Sequence, residues 1–137
     1  DLGIGDMFNS RVAGNIVNED ILGSLEFACA VAGSKVVLVM GHTACGAIMG
    51  AIDKVQLGNL TSLLEKIRPA IEATQYDGER TSKNDTFVNA VARKNVELTM
   101  AGIRVKSPLL KELETKGSIK IVGAMYNLAT AGVEFFS

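Results

Sequence analysis

The stretch Val36-Val37-Leu38-Val39-Met40-Gly41-His42-Thr43-Ala44-Cys45-Gly46-Ala47 constrains this chain more than any other. Five consecutive apolar residues, three of them β-branched, predict a central parallel strand covered on both faces, since such a strand has no solvated side to mark with polar residues. Gly41 and Gly46 bracket a turn, and the small residues Gly46, Ala47, Gly50 and Ala51 place a helix over 45–52 that a neighbouring element can approach closely. The turn presents His42, the only histidine in 137 residues, and Cys45, one of two cysteines. In open α/β sheets, ligands bind beyond the carboxyl ends of the strands, which is where this pair falls. An imidazole and a thiolate three positions apart can grip one face of a soft divalent metal such as zinc, and a helix start at Cys45 favours the thiolate. The same residues also suit a buried cysteine beside a histidine held by backbone hydrogen bonds. Spacing alone leaves both readings open.

The rest of the chain supplies partners for that strand. Residues 7–17 contain a short strand that closes at Ala13-Gly14-Asn15. Asn18-Glu19-Asp20 starts a helix whose apolar positions run over 21–31, with Gly33 as its stop. An amphipathic helix covers 59–74, with Pro69 a bend or break. A polar loop at 75–84 leads into a long helix over 85–103, and Ser107-Pro108 opens another that Gly117 ends. Alternation over 119–125 marks a final strand. This order predicts an α/β fold, a mostly parallel β-sheet flanked by helices, in a single domain over 1–137.

Composition excludes several classes. Fourteen basic and fifteen acidic residues balance to a net charge of −1, so there is no electrostatic case for nucleic acid or an anionic membrane as partner. No apolar run is long enough to span a bilayer. Two cysteines offer no disulfide framework and fit a reducing compartment, so the expected location is cytoplasmic.

Four other positions merit attention. Cys29 lies in the 21–31 helix on or next to its apolar face, where a cysteine serves as a small hydrophobe and makes a poor third ligand. Arg11 with Asn15 offers an anion site beside the strand end; the alternative is an arginine in a buried ion pair. Tyr126 follows the last strand, where a buried ring with a satisfied hydroxyl is expected over one facing the crevice. Lys116-Gly117-Ser118 sits at a helix end and lacks the upstream glycine of a phosphate loop.

Six blocks occur in a telling order: Gly3-Ile4-Gly5-Asp6-Met7-Phe8, Arg11-Val12-Ala13-Gly14-Asn15, Ser24-Leu25-Glu26-Phe27-Ala28, Gly41 to Ala47, Ser107-Pro108-Leu109-Leu110, and Val122-Gly123-Ala124-Met125-Tyr126-Asn127-Leu128. Together they resemble the β-class carbonic anhydrases along the whole chain. The resemblance implies a zinc ion held by two cysteines and one histidine, of which His42 and Cys45 match two. It implies the reversible hydration of carbon dioxide to bicarbonate and a homo-oligomer, a dimer or tetramer. The third ligand of the family lies in a C-x-D-x-R segment upstream of the Gly3 block, whose aspartate and arginine gate the metal. The expectation is therefore an N-terminally incomplete member that lacks the helical arm, the first strand, one cysteine and the Asp–Arg pair, so no catalytic residue is assigned within it. Asn127 stands where the family more often has aspartate. The alternatives are a catalytically silent assembly or binding module, and a carbonyl sulfide or carbon disulfide hydrolase relative.

Overall fold

The apolar run does form a strand, and it continues to the histidine: β1 spans Val36–His42. The structure, a computed structural model that describes residues 2–137, pairs β1 in parallel with β2 (Lys120–Tyr126) from Val36 opposite Lys120 to His42 opposite Tyr126. A short β3 (Val133–Phe136) lies antiparallel to β2, giving the order β1-β2-β3. The sheet is small and mixed, with its longer ladder parallel, and helices flank it. β3 was not foreseen, because Val-Glu-Phe-Phe is too short to show a period.

Two sequence expectations are corrected. Among the described residues β1 is an edge strand, not a central one, and it is covered on one face only. Val37 and Val39 are buried while Val36, Leu38 and Met40 are 55%, 43% and 40% exposed. Residues 7–17 form no strand. They have no ladder partner and lead into a single 3-10 turn, Ala13–Asn15, where Gly14 and Asn15 both take positive φ. A strand needs a hydrogen-bonded neighbour, and here local β-propensity finds none.

The helices follow their apolar spacing closely. Asn18 caps α1 (Glu19–Glu26) by accepting the Ile21 amide at 2.9 Å, and the helix widens into a π turn at Phe27–Val31. Gly33 then turns the chain at φ +82°, a conformation in which glycine lacks the Cβ penalty. After the strand come α2 (Gly46–Ile52), α3 (Gly58–Glu65) and α4 (Arg68–Ala73). The expected break at Pro69 is real: proline near the start of α4 has no N–H to extend α3. The long α5 (Asp85–Lys106) supplies the centre of the core, with Phe87, Val88, Val91, Val96 and Ile103 fully buried. Ser107 caps α6 (Pro108–Thr115) by accepting the Leu110 amide at 3.2 Å, and its own hydroxyl donates to Glu26 at 2.6 Å, which ties α6 to α1.

One ion pair joins α5 to α6. Arg104 donates to both carboxylate oxygens of Glu114, at 2.7 and 2.8 Å, and this pairing holds the Glu114 carboxyl below the usual carboxylate range. A carboxylate whose pKa falls on folding stabilises fully above its unfolded value of 4.5, and that contribution is lost as the pH drops through the lowered folded value. Glu114→Gln should therefore cost about 1 kcal/mol near neutrality and close to nothing at strongly acid pH. Urea unfolding of both proteins at the two pH values checks this; an equal gap at both would refute it.

Candidate metal centre

His42 is placed by the end of the parallel ladder. Its register partner is Tyr126, and the chain beyond each strand is tied to the other. The Thr43 amide donates to the Tyr126 carbonyl at 2.9 Å, and the Thr43 hydroxyl accepts the Leu128 amide at 3.0 Å. Ala44 sits at φ +51° and donates its amide to Asn89 of α5 at 3.0 Å. The turn between ligand candidates is thus held by β2 on one side and α5 on the other. Cys45 follows at the N-cap of α2, makes no side-chain cap bond, and is 6% exposed.

The imidazole is oriented by its own turn. Nδ1 of His42 lies 2.8 Å from the Thr43 carbonyl oxygen. A carbonyl can only accept, so Nδ1 carries a hydrogen, and Nε2 is the ring nitrogen with no hydrogen bond among the described residues. A metal-binding histidine commonly makes this kind of outer hydrogen bond. The backbone bond named in the structural alternative is therefore present, and it engages Nδ1 rather than Nε2.

His42 and Cys45 both line a cleft of about 740 Å³ that runs between residues 9–17 and the edge of β1. Its walls include Ile16, Val17, Ile21, Leu25, Val37 and Val39, so they are largely apolar. Arg11 lines the cleft, is exposed, and forms no ion pair among the described residues; a buried ion pair is thereby set aside. Tyr126 is half-buried and lines the cleft too, and its hydroxyl has no hydrogen-bond partner among the described residues. That corrects the expectation of a buried, satisfied tyrosine.

Asn15 also reaches this cleft. Its Nδ2 is buried without a partner, and its Oδ1 lies 3.5 Å from where a Cβ on Gly41 would sit. An orphaned buried donor costs about 1–3 kcal/mol, so the cleft offers a group in its floor a hydrogen bond that the protein leaves open. The turn carrying Asn15 is pinned from α5, where Asn95 donates to the Gly14 carbonyl at 2.6 Å. Sequence reasoning missed both Asn89 and Asn95. The available signal was two amides interrupting the apolar positions of a long helix.

Cys29 takes no part in the cleft. It belongs to the core at 8% exposure, and burial raises its thiol pKa, which keeps it neutral. Among the described residues no group of three or more His, Cys, Asp or Glu side chains gathers to hold a metal. The donors present are one imidazole and one thiol. Their chemistry suits zinc, and their number is below the three or four that zinc usually draws from protein.

The family model for carbonic anhydrase matches residues 1–133. "Carbonic anhydrase 2" of Mycobacterium tuberculosis is 32% identical over 133 residues, covering 93% of this chain and 61% of that protein. The carbonic anhydrase of Mycolicibacterium smegmatis is 31% identical over 142 residues, covering 100% and 66%. The chain thus spans somewhat under two thirds of the length of these curated relatives. Among solved structures, a tetrameric β-carbonic anhydrase of Sordaria macrospora superposes with a TM-score of 0.81 at 20% identity, over 99% of this chain and 71% of that one. The Coccomyxa β-carbonic anhydrase in complex with acetazolamide gives 0.81 at 23%, over 97% and 62%. The ordered sequence blocks, the strand-end His42 and Cys45, and these matches lead to one assignment: the chain belongs to the carbonic anhydrase family, in its β class.

Proposed function

We propose that this protein acts as a zinc-dependent carbonic anhydrase, interconverting carbon dioxide and bicarbonate, with His42 and Cys45 as two of the metal ligands. The observation that carries the proposal is the pairing of a Thr43-anchored His42, its Nε2 without a hydrogen bond among the described residues, with Cys45 on one apolar-walled cleft. A zinc ion there would supply the positive charge that makes a bound water acidic near neutral pH. His42 would offer Nε2 and Cys45 its sulfur. The apolar wall of Ile16, Val37 and Val39 would favour an uncharged, weakly hydrated substrate such as carbon dioxide over water. Tyr126 and the unpaired Asn15 amide supply polar atoms at the edge of that space, where a developing oxyanion needs donors.

With two donors among the described residues, the 137-residue chain alone should hold zinc loosely. We expect substoichiometric zinc after purification and little carbon dioxide hydration, as read by metal analysis and stopped-flow pH-indicator assay. Full zinc occupancy with fast turnover would overturn the two-donor reading. Hydration assayed in competition with carbonyl sulfide separates the anhydrase from a related hydrolase.

Association of copies is the companion proposal. A parallel strand normally has both faces covered, yet Val36, Leu38, Met40 and Phe135 are exposed on one face of this sheet. An open apolar face of that kind marks an association surface, and a structural relative is described as tetrameric. Light scattering should report species larger than one chain; a clean monomer at micromolar concentration would count against it.

A further inference from the structure

A second, smaller pocket of about 270 Å³ lies between residues 16–17, the start of α4 with the preceding Lys66, and α5, behind the wall of the cleft. Among the described residues, its charged lining residues are two lysines, Lys66 and Lys106. Neither forms an ion pair among the described residues, whereas Lys94 and Lys116 each have a glutamate. Among the described residues no carboxylate lines the pocket. Its floor is polar and buried: Asn95 is 3% and Thr99 8% exposed. Thr99 makes no side-chain hydrogen bond among the described residues, so its hydroxyl is left to the spaces it lines. Two cationic residues and an unengaged hydroxyl on one pocket make a local excess of positive charge and donors in a chain whose net charge is −1.

We propose that this pocket binds a small oxyanion (carboxylate, bicarbonate or phosphate), with Lys66 and Lys106 supplying charge and Thr99 a hydrogen bond. Charge-assisted bonds from ammonium groups are the strong kind, but both lysines are exposed, so the affinity is modest, roughly millimolar. Ile16, Val17 and Thr99 line both this pocket and the larger cleft, so the two spaces share a wall. The site needs neither His42 nor Cys45, and its test is independent of the zinc reading.

The test is an amide NMR titration of the metal-free 137-residue chain with inorganic phosphate, bicarbonate and acetate in turn, at ionic strength held constant with chloride. Saturable shifts centred on Thr99, Gly102 and Val17 are expected for at least one anion, and the arms show which chemistry is preferred. The double variant Lys66→Ala/Lys106→Ala, altered only at exposed positions, should keep its melting temperature and bind at least about tenfold more weakly. Shifts that rise linearly without saturating, that centre on His42 instead, or that are unchanged in the double variant would each overturn the proposal.

Discussion

Gly41→Val should be among the most damaging single changes this protein can suffer, costing about 3 kcal/mol or more of stability. Gly41 does not owe its identity to backbone conformation. It owes it to space: a Cβ there would lie 2.8 Å from Val96 Cγ2 and 2.9 Å from Met125 Sδ. Met125 can swing its thioether aside, but Val96 is rigid, fully buried and part of α5. The strand would have to move away from the helix. Gly123 on β2 is crowded by the same helix, with Val96 Cγ1 at 2.9 Å and Met100 Sδ at 2.7 Å. These two glycines let α5 lie close against the sheet, and α5 carries the Asn89 and Asn95 that hold the site's turns. The change should therefore disorder His42 as well as unfold the core. Leu38→Ala on the exposed face of β1 is the control and should cost well under half as much. Urea unfolding of the three proteins measures the difference. A Gly41→Val midpoint equal to that of the parent would remove the close-packing argument.

The second large effect concerns the metal donors. Cys45→Ser should abolish the thiolate-to-metal charge-transfer absorption that appears when cobalt(II) replaces zinc. It should also weaken metal binding by more than the roughly 10–100-fold that loss of a supporting hydrogen bond costs. A serine hydroxyl stays protonated near neutral pH and makes a far poorer ligand. Cys29→Ala should leave the band intact, because Cys29 sits in the core and burial raises its thiol pKa. The spectrum separates ligation from activity, which matters for a chain with two donors among its described residues. If the band survives in Cys45→Ser, Cys45 is not a ligand.

The local features of the site were legible because each is written in neighbouring residues. The run 36–40 forms a strand, Pro69 divides two helices, Ser107 caps α6, and His42 and Cys45 flank a turn at a strand end. The misreadings share a different cause. Residues 7–17 have strand-like composition, but a strand exists only if another segment pairs with it, and pairing is not encoded locally. β1 looks central because its residues are apolar on both faces; its neighbours decide which face is covered. Asn95 reaches Gly14 across 81 positions, and Asn89 reaches Ala44 across 45. No window of sequence contains either contact.

By itself, then, the sequence determined the strand–turn–helix that carries His42 and Cys45, the family to which its ordered blocks point, and the absence of any charge bias toward nucleic acid. Those properties follow from side-chain period, turn chemistry and composition, all of which act over a few residues. Only the tertiary structure decided that Nδ1 of His42, rather than Nε2, is spent on Thr43, that Tyr126 and Asn15 share the same cleft, and that Cys29 does not. It also decided that, among the described residues, β1 lies at the sheet edge with an apolar face open. Each of these depends on which distant segments are packed together. That packing is set by burial and hydrogen bonding over the whole chain, and no local propensity specifies it.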